Sequence, residues 1–525
     1  MHTICKYNNE IYQNFFVRFY KIALYYCDAC AASIRVCVIV LQFNTKSIIF
    51  ILSEKITYIA QIFYKTMLIT FTISNFLSFD APITFSMAAG QVETLPQQVI
   101  KGEKRSDVSL LKSAVIYGAN ASGKSNFIKA VSFAKEVIVA GLDKTITDNK
   151  HFRLDTTNKF KPTQFEFEFK YKEKMYAYGV ILSLSERKIK EEWLFEILKT
   201  THKPVFERTV KEDGTSRVDI FLKLDKDGQK RFEVYKEDIK ATQLFLTEIN
   251  DKNISNIQNI DPFKNAFEWF KERLIIVLPI TKYLGINYVG NEEDSKNAFR
   301  YFLQLFGTGV EGVETIEQDL EDQLLSHIKE ESLIDLQNGK VRDIILGLGR
   351  DLFSISKNKG GLIKVFKLAM QHKQRNTQNL IAFELEDESD GTQRLMDLIP
   401  VLVGLTQPHQ TYLIDEIDRS LHPELTRKLL ETFFENTKGT PSQLIITTHE
   451  SSLLDLSLIR RDEIWFVEKD ADGASHMYSL EEFKPRLDKE VRRAYLQGRF
   501  GAIPFIGDVK DLGWLKEITT ASVVR

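Results

Sequence analysis

Gly118-Ala119-Asn120-Ala121-Ser122-Gly123-Lys124-Ser125 is an uninterrupted match to the pattern Gly-x-x-x-x-Gly-Lys-Ser/Thr. Before it stands the apolar run Ser113-Ala114-Val115-Ile116-Tyr117, which reads as a buried strand, and after it residues 126–140 carry helical spacing. A strand, a glycine loop and a helix in that order make an anion cradle. The glycines let the backbone wrap closely, the loop N–H groups turn inward, and the helix presents its positive end. Gly118, Asn120, Ser122, Gly123, Lys124, Ser125 and Asn126 are therefore the candidate nucleotide-binding residues. Lys124 is expected to reach the outer phosphates, and the Ser125 hydroxyl to hold Mg2+. A chance match in a turn would not bring both flanking elements with it. Guanine-specific P-loop proteins usually carry Asn-Lys-x-Asp. That string is absent here, which favours ATP.

Working outward, Thr411-Tyr-Leu-Ile-Asp415-Glu416 is an apolar strand ending in two carboxylates. In a P-loop setting Asp415 is the expected second Mg2+ residue, and Glu416 the expected acid that orients or deprotonates a water. Without the glycine loop, the same pair could equally cap and charge a helix N-terminus. Glu388-Ser389-Asp390-Gly391-Thr392-Gln393 opens a further helix, where Ser389 and Gly391 make a second candidate anion site; the plainer reading is a capped helix. Gln443-Leu-Ile-Ile-Thr-Thr-His449 is a strand ending in a histidine. A lone histidine there is more often structural, but at this place His449 could sense a γ-phosphate.

Taken in this order, the four segments resemble the ABC-type ATPase heads of the SMC and RecF kind. The resemblance implies an α/β fold: an ABC-type P-loop ATPase head with a mixed sheet, an antiparallel β subdomain and a helical insertion. It implies that Lys124 and Ser125 belong to Walker A, and Asp415 and Glu416 to Walker B with its catalytic acid. Ile417-Asp418-Arg419-Ser420-Leu421-His422-Pro423 matches the D-loop, and His449 the switch histidine. Ser389 and Gly391 match the signature that closes the site of a second subunit, so a head-to-tail homodimer is implied. Asp390 departs from the family's Leu-Ser-Gly-Gly-Gln at its first glycine. A Q-loop glutamine is not placed; Gln164 is the weak candidate.

The chain is similar in more detail to bacterial AAA-annotated ATPases of the RloA-like and abortive-infection kind, and more distantly to the OLD family. The opening Ile73-Ser-Asn-Phe-Leu-Ser-Phe79 and the late Tyr495-Leu-Gln-Gly-Arg-Phe-Gly-Ala-Ile-Pro504 carry that likeness together with the motifs above. It implies ATP and Mg2+ as cofactors, a role in anti-phage defence, and a separately encoded effector, nuclease or toxin. A DNA-maintenance ATPase that binds nucleic acid is the rival reading. A transporter subunit fits poorly, because about 265 residues separate Lys124 from Ser389, where transporter subunits usually place a compact helical subdomain.

The rest of the chain fits around these motifs. Residues 67–228 read as the first part of the head, with an antiparallel subdomain in which Phe165, Phe167, Phe169 and Tyr171 alternate strictly. Residues 229–375 read as a helical insertion, with helices expected over 236–246, 262–278, 295–306 and 316–328. Residues 376–525 read as the second part of the head and a C-terminal tail, with strands alternating with helices as in a parallel sheet. Glu468-Lys-Asp470-Ala-Asp472-Gly473 superficially resembles a nuclease acidic cluster. An acidic β-turn is the better reading, and no intrinsic nuclease is expected.

Of the 525 residues 43% are apolar and 27% charged, and the formal net charge is −2. These values suit a globular protein of two or three domains and argue against general electrostatic binding to nucleic acid or anionic membrane. A local patch from Arg486, Arg492, Arg493 and Arg499 reads as a solvated helix face. Residues 1–66 hold all four cysteines, Cys5, Cys27, Cys30 and Cys37. Their apolar runs are interrupted by charges and fall short of the roughly 18 residues of a membrane span. The expectation is a non-native extension ahead of a natural start at Met67; a membrane-surface or partner-binding extension is the alternative. Cys27-x-x-Cys30 lacks a second ligand pair at zinc spacing. A body free of cysteine fits a cytoplasmic location, with no membrane partner expected.

Overall fold

Short apolar runs bounded by polar turns become strands throughout the computed structural model. It describes residues 66–503 except 103–106, 253, 255–256, 280, 282–292, 321, 340, 342, 349–350, 359, 405–408 and 484–490, and the backbone of 22–25, 38–43 and 46–51. The chain divides into two units, Met1–Tyr64 and Lys65–Arg525. In the first, Ile22–Tyr25, Val38–Phe43 and Lys46–Ile51 form a three-stranded antiparallel sheet. The four cysteines lie outside the described residues, and so does Arg486.

In the second unit, β1 (Met67–Ser74) and β2 (Ile83–Ser86) lead to β3 (Ser113–Tyr117), the strand before the glycine loop. Helix α1 (Lys124–Ala140) follows. Then come β4 (Thr163–Tyr171), β5 (Lys174–Ser183), β6 (Lys188–Ile197), β7 (His202–Val210) and β8 (Ser216–Ile220). Seven of these strands form one antiparallel sheet in the order β8-β7-β6-β5-β4-β1-β2. Along β4 burial alternates as the sequence predicts, with Phe165, Phe167 and Phe169 inward. Phe127 of α1 packs edge-on against Phe71 and Phe85, at centroid distances of 5.7 and 5.1 Å.

Helices α2 (Lys226–Asp238), α3 (Phe245–Asp251) and α4 (Asp261–Glu268) come next. After them β9 (Leu274–Val277) precedes α5 (Glu293–Leu305). β10 (Gly312–Gln318), β11 (Asp343–Leu348), β12 (Asp351–Lys357), β13 (Ile363–Lys373) and β14 (Leu380–Glu384) form a second antiparallel sheet. α6 (Asp390–Gly404), β15 (Thr411–Ile414), α7 (Pro423–Asn436), β16 (Gln443–Thr447), β17 (Ile464–Lys469) and β18 (Ser475–Ser479) follow, with a last short helix at Val491–Leu496. The central sheet runs β9-β15-β16-β3-β17-β18, parallel as far as β17, with β18 returning antiparallel.

The expected helical insertion over 229–375 needs correction. Its first helices share one apolar core with α1 and the antiparallel sheet, through Phe232, Phe245, Phe263 and Trp269. Residues 274–277 are an edge strand of the central sheet rather than the end of a helix, and 316–318, expected to begin a helix, pair with β13 as part of β10. Ile316, Leu320, Leu324 and Ile328 recur every four residues, so local pattern favoured a helix over 316–328. Cross-strand pairing, which is invisible to a local window, decides the matter.

The central strands read as continuous apolar runs because both faces are covered. Ala114, Ile116, Leu413 and Ile445 face the core shared with α1. Val115, Tyr117, Ile414 and Ile446 face a second core containing Leu395 and Ile399 of α6 and Leu429 and Leu430 of α7. Buried Gln443 stitches the two sheets together: its Oε1 accepts from Leu68 N at 2.7 Å, and its Nε2 donates to Leu68 O at 3.1 Å and Leu111 O at 3.0 Å.

Glu192 is a second buried tie. It accepts from the backbone N–H groups of Phe245 (2.7 Å) and Leu246 (2.9 Å) at the start of α3 and from Tyr178 Oη (3.0 Å), with Arg208 at 3.5 Å. Burial pushes its carboxyl up, against the pull of Arg208. Truncation would leave two buried N–H groups unpaired and take the counter-ion from the buried Arg208 guanidinium, which keeps its bonds to Gln243 O, Ser216 Oγ and Lys240 O. Glu192→Ala is expected to cost about 3–5 kcal/mol of folding free energy, measured by urea denaturation.

Glu463 lies at the foot of β17, fully buried, accepting from Arg460 N at 2.9 Å and Ser113 N at 3.3 Å. Burial pushes its pKa up to about 8. A folded-state value above the unfolded one means the contribution is full below the unfolded pKa and is lost as pH rises through about 8. The melting temperature of the wild type is expected to fall relative to Glu463→Gln between pH 5 and pH 8.5 (about one unfolded pKa to just above the folded one). A parallel pair of profiles would refute this.

Candidate functional site

The loops that follow β3, β15 and β16 meet at one end of the central sheet, where the carboxyl ends of parallel strands place ligands in open α/β sheets. Gly118 is required by proximity: a Cβ there would sit 2.4 Å from the carbonyl oxygen of Val467. Gly123 is required twice over. Its φ is +120°, and a Cβ would fall 2.2 Å from Ser475 Oγ. Beneath the loop, the Ser475 hydroxyl donates to the Ser122 carbonyl at 2.6 Å and lies 2.8 Å from Ser78 Oγ, which accepts from Asn126 Nδ2 at 2.9 Å. Asn120 and Ala121 form the exposed tip.

Lys124 Nζ donates to the carbonyls of Gly118 (2.8 Å) and Ala119 (3.0 Å) and stands 3.4 Å from His449 Nδ1. Burial pushes its pKa down to about 8, opposed by the carboxylates of Asp415, Asp418 and Glu416. Burial, and then the Lys124 charge, hold the His449 imidazolium below its usual range. The histidine is therefore biased toward its neutral form. Its backbone N–H donates to Asp418 Oδ2 at 3.2 Å.

Asp415, at 1% exposure, accepts from Ser125 Oγ at 3.1 Å and from Thr447 Oγ1 at 2.6 Å, both on Oδ1. Oδ2 is buried without a hydrogen-bond partner. A hydroxyl beside a carboxylate with one oxygen to spare is a donor set suited to Mg2+, which is commonly held by one or two protein oxygens and keeps several waters. Ser125 and Asp415 therefore fit the ion that the motifs imply. Among the described residues no group of three or more His, Cys, Asp or Glu side chains forms a metal cluster.

Glu416 has a left-handed backbone, φ +48°, a conformation costly for a residue with a Cβ. Its N–H donates to Thr447 Oγ1 at 2.8 Å, and its half-buried carboxylate lies 3.9 Å from Arg419. Arg394 of α6 donates from Nη2 to the carbonyls of Asp415 (3.1 Å) and Glu416 (3.2 Å).

The fold thus brings Lys124, Ser125, Asp415, Glu416 and His449 together. Ser389 and Gly391 stand apart: among the described residues no hydrogen bond joins them to the glycine loop. Ser389 is exposed and caps its helix, accepting from Thr392 N at 3.1 Å, and a Cβ on Gly391 would lie 3.0 Å from the Ser420 carbonyl. Gln164 sits in β4, paired with Ser74 and Ile181. Asp470 forms the turn between β17 and β18, accepting from Asp472 N and Ala474 N and pairing with His476 at 2.8 Å. Sequence reasoning missed Ser78, Ser475, Arg394 and Thr447. Ser78 lies inside the quoted opening motif, and Thr447 two residues before His449; the other two carry no local signal.

A family model described as "AAA domain, putative AbiEii toxin, Type IV TA system" matches residues 113–455. No curated protein matches the chain. Among solved structures, an SMC head bound to the C-winged helix domain of ScpA is similar at 15% identity and a TM-score of 0.35, covering 79% of this chain and 99% of that one. The SMC head domain from Thermotoga maritima is similar at 13% identity and a TM-score of 0.32, covering 78% and 98%. An SMC head with an extended coiled coil, bound to the C-terminal domain of ScpA derived from Pyrococcus furiosus, is similar at 15% identity and 0.33, covering 80% and 98%. No helix among the described residues is long and apolar enough to cross a membrane.

Gly123→Ala tests the loop. A left-handed φ and a clash with Ser475 Oγ together are expected to cost about 1–3 kcal/mol, measured by chemical denaturation. Removing the clash in Gly123→Ala/Ser475→Gly is expected to recover part of it.

Proposed function

The chain belongs to the AAA-domain family whose model spans residues 113–455, and from that premise we propose that it binds ATP with Mg2+ and hydrolyses the γ-phosphate. The observation that carries this reading is the pairing of Ser125 Oγ with a buried Asp415 whose second oxygen has no partner, one residue from Lys124. The loop N–H groups and Lys124 would bind the phosphates, exchanging the ammonium's present contacts with Gly118 and Ala119 for phosphate oxygens. Ser125 and Asp415 would hold Mg2+. When bound, the ion supplies neutralisation of the phosphate oxygens. Glu416, fixed at the strand end and half-exposed, would orient the attacking water and take its proton. His449, biased toward the neutral form, would offer a nitrogen beside the γ-phosphate.

Ser389 is exposed and Gly391 half-buried, and neither is turned to a partner in the glycine loop. This supports a site completed by a second copy, paired head to tail, with each signature helix facing the other's nucleotide. The likeness of its motifs to abortive-infection ATPases supports a role as the regulatory subunit of an anti-phage system acting through a separate nuclease or toxin; the family model's description names a toxin–antitoxin system without separating the two parts. Pull-down of tagged Glu416→Gln protein from its native locus with ATP tests this role. A co-purifying protein encoded nearby is expected. Nucleic acid alone in the eluate would favour the DNA-maintenance reading.

The chemical roles are tested separately. Lys124→Ala is expected to lose ATP binding. Glu416→Gln is expected to bind ATP, to lose at least about 100-fold in turnover, and to sediment as a dimer with ATP. Wild-type turnover by Glu416→Gln would remove Glu416 from its role.

A further inference from the structure

We propose that Thr447 is a positioning residue that sets both acids of the site through one hydroxyl; this rests on the reading of Ser125 and Asp415 as the Mg2+–nucleotide pair. The hydroxyl has one proton to give and lone pairs to receive. It lies 2.8 Å from the Glu416 N–H and 2.6 Å from Asp415 Oδ1. A backbone N–H can only donate, and an ionised carboxylate can only accept. The direction of both bonds is therefore fixed: Glu416 N–H gives to Thr447 Oγ1, and Thr447 Oγ1–H gives to Asp415 Oδ1.

Each bond has a separate consequence. The bond to Oδ1 joins that of Ser125 at the same oxygen. Two donors on one oxygen leave Oδ2 as the free, buried one and oppose rotation of the carboxylate. The bond from Glu416 N–H anchors the residue whose φ is +48°. The Thr447 carbonyl accepts from Ile417 N at 3.1 Å, so the peptide after Glu416 is held by the same residue. Glu416 is thus fixed at both flanking amides in a conformation its side chain would otherwise disfavour.

This control is available because β16 lies between β3 and β15 in the central sheet. The end of β16 is therefore the one point adjacent to both the strand of the glycine loop and the strand of the acids. Thr447 itself is fully buried, so water cannot replace its hydroxyl without a cavity. Residues that orient a metal ligand without touching the metal typically change its affinity by about 10–100-fold.

The test compares the full-length wild type, Thr447→Val and Thr447→Ser for affinity toward a fluorescent ATP analogue, with Mg2+ titrated in and with EDTA. Thr447→Val is expected to need about 10–100-fold more Mg2+, while its metal-free affinity stays at the wild-type level because Lys124 and the loop are intact. Thr447→Ser is expected to restore the wild-type Mg2+ dependence. In Asp415→Asn protein, adding Thr447→Val is expected to change the Mg2+ dependence no further. If Thr447→Val does not fold, Thr447→Cys, which keeps the volume with a weaker donor, is expected to raise the Mg2+ requirement instead. Wild-type Mg2+ dependence in the folded Val or Cys variant overturns the proposal alone, and so does its loss in Thr447→Ser. A wild type that binds the analogue with no Mg2+ dependence overturns the underlying reading, and the proposal with it.

Discussion

A carboxylate buried at the end of an apolar strand is the constraint around which the rest of the molecule is arranged. Asp415 is 1% exposed, and an ionised carboxylate withdrawn from water needs donors or a cation in compensation. Ser125 and Thr447 supply hydroxyl donors to one oxygen, and the other is left bare. On the far side Lys124 pays a desolvation cost of its own, large enough to bring its pKa to about 8 despite three nearby carboxylates. The arrangement holds opposite charges close without letting them pair, because the ammonium is tied to the loop carbonyls of Gly118 and Ala119. What the geometry leaves unsatisfied is the chemistry that a phosphate and a hard cation satisfy.

Such a site demands rigid surroundings, and these come from parts of the chain remote in sequence. The glycine loop rests on Ser78, at the first strand's end, and on Ser475, in the last strand. Gln443 binds β1 to the central sheet through both of its amide atoms. Behind the loop, the Tyr117 ring lies 5.9 Å from that of Tyr495, and Phe466 stacks on Tyr495 and Phe500 at 5.5 and 5.8 Å. Both quoted terminal motifs thus have a physical role: they pack against the strand and loop of the candidate phosphate site.

The residues that meet at the candidate site were legible in sequence because their signals are local. A loop that must approach phosphate needs glycines at fixed offsets, and a strand that must deliver carboxylates ends in them. The central strands were legible for the same reason, since strands covered on both faces read as uninterrupted apolar runs. The second antiparallel sheet was not. Its pairing joins Gly312–Gln318 to Val365–Gln371 across many residues, and the four-residue spacing of Ile316, Leu320, Leu324 and Ile328 imitates a helix face. Thr447 was passed over because one threonine in a strand is unremarkable until its neighbours are known. Arg394 was missed because nothing in its own helix marks an inward-facing guanidinium.

Helix α6 joins the two halves of the arrangement. It is capped by the exposed Ser389 and carries half-buried Gly391 in its first turn, and one turn further on Arg394 grips the carbonyls of both Asp415 and Glu416. Five residues of helix span only about 7.5 Å, so the exposed end and the acids are mechanically one piece. The same end is fastened from outside by His372 of β13, 2.5 Å from Glu388, the residue before Ser389. The second antiparallel sheet therefore connects directly to the helix that holds the carbonyls of Asp415 and Glu416, with β14 separated from Ser389 by a single short turn. From His372 to Glu416 the connection runs through Glu388, the start of α6 and Arg394, by covalent and hydrogen-bonded contacts.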